Sequence, residues 1–178
     1  MGHKHTKEDI LAGALATARA DGLSQLTFGR VAKHLDITDR MVVYYFPTKD
    51  DLITEVILSM GLELQATLAQ AFTTPAADYV ALASAAWPVL AHADADAVFA
   101  LFFEANGLAA AGREPYASLV PQLVGGWIEW AATFIEGTPA VRRTEAETAI
   151  ALIDGLLLVR LLAGPKSADR AAKRLGLR

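Results

Sequence analysis

The stretch 26–49, LTFGRVAKHLDITDRMVVYYFPTK, constrains the fold more than any other part of the chain. It reads as two short helices joined by a tight turn, then a sharp stop and the start of a third helix. Thr27 caps the first predicted helix, whose apolar residues Phe28, Val31, Ala32 and Leu35 repeat at the spacing of a one-faced helix. Asp36 breaks it at a position that needs positive φ, which Asp tolerates better than most residues, and Ile37 plugs the turn. Thr38 caps the second predicted helix, and Pro47 ends it at Phe46, because the residue before a proline avoids the helical region. With Val42 and Phe46 turned inward, Thr38, Asp39, Arg40, Met41, Tyr44 and Tyr45 are left outward or at the margin. That is the layout of a helix-turn-helix, whose second helix enters the major groove by its N-terminal end.

Lys49 stands in the first turn of the next predicted helix, behind Thr48 and with Asp51 at the capping-box position. There the helix macrodipole opposes a cation, a sign that a bound phosphate would reverse and that a solvated surface lysine would tolerate.

From residue 6 to residue 56 the sequence resembles the DNA-binding domain of the tetracycline-repressor (TetR) family of bacterial transcription regulators. Ile10, Leu11, Ala14, Gly22, Leu26, Thr27, Val31, Ala32, Leu35, Ile37, Thr38 and the run 45–49, YFPTK, carry the likeness, followed by acidic Asp50 and Asp51 and then Leu52. The resemblance implies that Thr27 and Lys49 hold phosphates, that Asp39, Arg40 and Met41 face bases, and that Tyr44 and Tyr45 touch the DNA backbone or thymine methyls. Arg40 stands where the family often has a small residue, which strengthens a base-reading role. Val43 stands where a tyrosine is common, which removes one usual phosphate contact.

Charge is distributed unevenly. Residues 1–50 carry net +1, residues 51–163 net −9 and the last fifteen net +4. A weakly basic head on an acidic body suits a DNA reader whose body points away from the duplex. The chain has no cysteine, so disulfides and thiolate chemistry are excluded and a cytoplasmic location is expected. Its 53% hydrophobic content asks for an extra buried surface. The longest apolar run, 149–163, contains Asp154 and Arg160 and falls short of the roughly 20 residues a membrane span needs. We therefore expect no membrane association and a buried interface with a second copy of the chain.

Helices are expected over 6–20, 48–72, 78–91, from Asp94 or Asp96 to Leu108, over 115–136 and over 144–163, with 166–178 as a short basic tail. The last two long helices are apolar on more than one side and so must be covered on more than one side. Leu123, Trp127, Phe134, Leu152, Leu156 and Val159 are the expected interface of a homodimer built as a four-helix bundle, with Gly125, Gly126 and Gly155 allowing close approach. Aromatic density interrupted by polar groups gives a candidate pocket for a small-molecule effector: Trp87, His92, Phe99, Phe102, Phe103, Glu104, Asn106, Trp127, Trp130 and Arg160.

The fold class that follows is all-α, with about nine helices in a TetR-like arrangement. A three-helix DNA-binding head occupies residues 1–48, and a helical ligand-binding and dimerisation body occupies residues 49–178. An enzyme is not expected. The four histidines are scattered at 3, 5, 34 and 92, and no phosphate loop, metal motif or nucleophile elbow is present. No cofactor or metal is expected either. The function that fits is a transcriptional regulator, read as a repressor that leaves a near-palindromic operator when a small, largely apolar ligand binds. The alternative is a helix-turn-helix-derived protein interaction module without DNA binding, which Asp39, an acid on the reading helix, keeps open.

Overall fold

The computed structural model describes residues 5–177. Among them are nine helices and no strand: α1 (Lys7–Asp21), α2 (Phe28–Leu35), α3 (Asp39–Tyr45), α4 (Lys49–Ala69), α5 (Tyr79–Leu90), α6 (Ala93–Ala110), α7 (Tyr116–Ala132), α8 (Pro139–Ala163) and α9 (Pro165–Arg174). A single parallel bridge joins Ala76 to Ile135.

By compactness the chain divides into two units. The first runs through Glu63 and takes in a returning segment, Glu104–Leu119; the second is Leu64–Phe103 with Val120 onward. Contacts therefore assign the end of α6 and the start of α7 to the same unit as the helix-turn-helix.

In the first unit, local chemistry sets the helix ends. Thr6 and Asp9 form a reciprocal capping box on α1, and Thr48 and Asp51 form one on α4. Its core is Ile10, Ala14, Ala18, Leu23, Leu26, Val31, Val42, Phe46, Leu52 and Val56, all buried. α1 and α2 pack so closely that a Cβ on Gly13 would lie 2.6 Å from the Leu35 side chain, so a larger residue there would have to displace Leu35. Lys7 pairs with Glu55 at 2.8 Å and lies over the Phe46 ring, tying α1 to α4. By length and composition α4 is apolar enough to cross a bilayer, yet Leu52, Ile53, Val56 and Met60 of its apolar side are buried in this core.

In the second unit two apolar clusters meet α8. One gathers Leu68, Ala83, Trp87, Leu90, Phe99, Ile153, Leu156, Leu157, Ala168 and Ala172. The other gathers Ala76, Leu82, Ala131, Ile135, Ala146 and Ala149. α8 starts at Pro139, five residues before the Thr144 expected from the sequence, because Thr138 caps it and Pro139 takes the first helical position, where a missing N–H costs nothing. The basic tail is a helix docked through Ala168, Ala172 and Leu177.

Candidate nucleic-acid interface

The turn between α2 and α3 is built as its sequence requires. Asp36 adopts the left-handed conformation, φ 54° and ψ 46°, and the Ile37 N–H reaches back to the Ala32 carbonyl at 2.9 Å. This closes α2 in the manner usually supplied by glycine. Thr27 caps α2, its hydroxyl oxygen accepting from the Arg30 N–H at 3.3 Å. The hydroxyl proton is still able to donate outward.

α3 is held by Val42 and Phe46, 0% and 1% exposed, so its opposite face is fixed outward. Thr38, Asp39, Arg40 and Tyr44 are exposed, and Met41 and Tyr45 are half-buried. Thr38 occupies the N-cap position with extended backbone but makes no side-chain cap bond, contrary to the capping role expected of it. Its hydroxyl is therefore not consumed by the helix. Tyr44, 77% exposed, stands edge-on to Tyr45 at 4.9 Å. The Tyr45 hydroxyl instead donates to the His5 carbonyl at 2.9 Å, so part of this side chain serves the fold. Asp39 turns its carboxylate toward the first turn of α2, where a Cβ on Gly29 would lie 3.4 Å from Oδ2. The positive end of that helix is a favourable place for an acid, and it draws the charge back from the reading face.

Lys49 is exposed in the first turn of α4, directly behind the Thr48–Asp51 box. Around these groups Arg30 is paired with Asp21 at 2.8 Å, whereas Arg40 and Lys49 make no ion pair among the described residues. His3, one of the scattered histidines, lies outside the described residues, and the described ones contain no cluster able to hold a metal.

The expected pocket residues are dispersed. Trp87 and Phe99 are core residues of the second unit. Phe102 and Phe103 pack against that core, and Trp127, Trp130, Phe134 and Phe72 form a chain of ring contacts 4.8–5.8 Å apart. His92 is exposed, its Nδ1 3.2 Å from Asp94. Two of the polar candidates have partners within their own units. Arg160, 8% exposed, donates two bonds to Asp96, at 2.6 and 3.1 Å. Glu104 belongs to the first unit and accepts from the Leu23 and Ser24 N–H groups, both at 2.8 Å. Asn106 is in the first unit as well, and its Oδ1 is buried without a hydrogen-bond partner in the described chain. A groove of about 440 Å³ in the second unit is lined by Glu129, Ala132, Thr133, Pro139, Ala140, Arg142 and Arg143, and none of the candidates reaches it.

The expected interface residues also divide. Leu123, Trp127, Phe134 and Leu152 are half-buried and Val159 is exposed. Leu156 is 3% exposed and packed in its own unit's core, so it has no surface to offer a second chain, a correction that comes from the phase of α8. That phase turns Leu158, Leu161 and Leu162 outward beside Val159, positions the sequence reading missed. Gly125, Gly126 and Gly155 face open space.

Residues 10–56 match the profile of the bacterial regulatory proteins of the tetR family. No curated protein matches the sequence at a significant level. Among solved structures, a transcriptional regulator from Rhodococcus sp. Rha1 aligns over 94% of this chain and 91% of its own, with 20% identity and a TM-score of 0.74. A TetR transcriptional regulator from Legionella pneumophila aligns over 98% and 97%, with 22% identity and a TM-score of 0.66. The multidrug binding protein EbrR, complexed with imidazole, aligns over 95% and 88%, with 23% identity and a TM-score of 0.66. The family and these regulator neighbours are not enzymes. Residues 10–56 are therefore similar to the tetR family of bacterial regulatory proteins, and the chain shares the all-helical fold of these solved regulators over nearly its whole length.

Proposed function

We propose that the chain is a cytoplasmic, homodimeric repressor that holds a near-palindromic operator and releases it when a small, largely apolar effector binds. The observation that carries this reading is the outer face of α3. Two buried residues fix the helix, and the side chains of Thr38, Arg40 and Tyr44 are left exposed beside one another on its outer face. On this reading Arg40 and Met41 face base edges, with Asp39 held back beside α2. Thr27, Thr38, Lys49 and Tyr44 meet the phosphate backbone, and Tyr45 lies at its margin.

A two-fold dimer then asks for two half-sites about one helical turn apart. The exposed Leu158, Val159, Leu161 and Leu162 of α8 supply an apolar face for the second copy. The open glycines of α7 and α8 permit close approach. The effector reading is supported by the aromatic chain of the second unit and by the likeness to EbrR, solved with imidazole and with proflavin.

Selection of random duplex DNA on the purified protein tests the proposal. An enriched inverted repeat, bound by an even number of chains with affinity falling steeply in salt, is the expected result. On that duplex Arg40→Ala weakens binding by about tenfold or more and relaxes preference at one position per half-site. Lys49→Ala weakens all sequences alike and lowers the salt slope by about one per chain. Identical behaviour of the two variants would overturn the division into base and phosphate contacts. No enrichment from folded protein would favour a protein-binding module.

A further inference from the structure

Asp39 is the residue of the reading helix that DNA should least welcome. It opens the first turn of α3, is exposed, and makes no ion pair among the described residues, although Arg40 follows it directly. Its carboxylate lies against Gly29, the second residue of α2, where an added Cβ would stand 3.4 Å from Oδ2 and 3.9 Å from Oδ1. The glycine leaves that space to the acid, at a helix start where the dipole favours negative charge. The cations of the head are thinned in the same sense. Lys7, Arg19 and Arg30 are each given to a carboxylate, of Glu55, Glu63 and Asp21, at 2.8, 3.2 and 2.8 Å. Lys33, Arg40 and Lys49 stay exposed without an ion pair among the described residues, and residues 1–50 sum to net +1.

Attraction to phosphate supplies nearly all sequence-independent binding, and base contacts add to it only at a cognate site. The two kinds of complex place Asp39 differently. With α3 in the major groove, its N-terminal end lies among base edges, some of which carry amino donors that a carboxylate accepts. A head resting on the backbone without entering the groove sets the same end against phosphates, which repel it. We propose that Asp39 is a specificity-determining residue that acts by exclusion, its fixed charge weakening the hold on DNA outside the operator more than the hold on the operator itself. The proposal rests on the regulator reading and deepens it. Selectivity then has two neighbouring sources, repulsion from Asp39 and attraction through Arg40.

Asp39→Asn keeps the shape and removes the charge. Affinity is measured for the duplex selected on the parent protein and for a scrambled duplex of the same length and composition, at about 50 and 200 mM salt. At the lower salt the variant should bind the scrambled duplex about fivefold more tightly than the parent does, and the selected duplex by about twofold or less, so that the ratio of the two affinities falls. The gain should shrink at the higher salt, where screening shortens the reach of the charge. Asp39→Glu, which restores the charge on a longer stem, should return the ratio toward that of the parent, and Asp39→Ser, small and neutral, takes the place of Asp39→Asn if that variant does not fold. Equal tightening on both duplexes, or an unchanged affinity for the scrambled one, overturns the proposal. A ratio that falls only because the selected duplex is bound more weakly makes Asp39 a base contact and overturns it too. Parent protein with no salt-sensitive DNA binding instead defeats the regulator reading and takes this proposal with it.

Discussion

Two helices of this chain turn side chains outward, and they do so with opposite chemistry. α3 is seven residues long, and with its N-cap threonine it exposes an acid, an arginine, a valine and a tyrosine. α8 is twenty-five residues long, and near its C-terminal end it exposes Leu158, Val159, Leu161 and Leu162, the last at 76%. Both are amphipathic in the sense that one side is buried, but only α3 has an outer side that water satisfies. A short helix fixed by two buried residues presents polar groups at little cost. A leucine surface of this extent in water forgoes about 25 cal/mol for each Å² left uncovered, and so calls for a second apolar surface.

The comparison breaks most decisively if the α8 face is made to resemble the α3 face. Leu158→Glu together with Leu162→Glu removes little from the chain's own core, since both residues are exposed. Sedimentation should then show monomer in place of dimer. Affinity for the selected duplex should fall by about a hundredfold or more, because two linked heads gain that much from effective concentration. A variant that remains dimeric places the interface elsewhere.

A smaller effect should follow from loosening what sets the phase of α8. Arg160→Ala leaves Asp96 without its buried partner and should cost about 2 to 4 kcal/mol in urea unfolding, less than a fully buried pair because Asp96 is partly open to solvent. Arg160→Met, apolar and of similar length, should recover most of that loss. If it does not, the pair contributes stability as well as phase.

Asp154, at the margin of the outward face of α8, sharpens the comparison further. Burial pushes its carboxyl up to about 6. An unfolded aspartate titrates near about 3.9. The folded chain therefore holds this proton more tightly, so stability falls as pH rises from about 4 to about 6 and the full penalty remains above that window. Asp154→Asn should raise stability by about 2 kcal/mol at pH 8 and leave it nearly unchanged at pH 4. An equal gain at both pH values would mean that charge is not the cause.

Much of the head is legible from the sequence because its determinants are neighbours in the chain. Thr6 with Asp9, Thr27, Asp36, Pro47, and Thr48 with Asp51 each act within a few residues of themselves, and the structure uses each of them. Thr38 is the exception, since a residue suited to capping need not cap when a backbone bond from Met41 closes the turn. The body was legible as helices but not as surfaces. α8 carries apolar residues on several sides, so its pattern alone does not say which side the core takes; packing buries Leu156 and turns Leu162 outward.

The sequence by itself therefore determined where the chain turns, which short helix is presented, and that the fold is all-helical with a head similar to the tetR family's. The tertiary structure alone decided the fate of the polar groups far apart in sequence. Arg160 goes to Asp96, 64 residues away, and Glu104 to the α1–α2 turn, although aromatic neighbours in the sequence point both toward a pocket. The physical reason is range. A cap or a turn is settled by the energy of adjacent residues, whereas a buried charge accepts whichever partner the packing of distant helices brings within 3 Å.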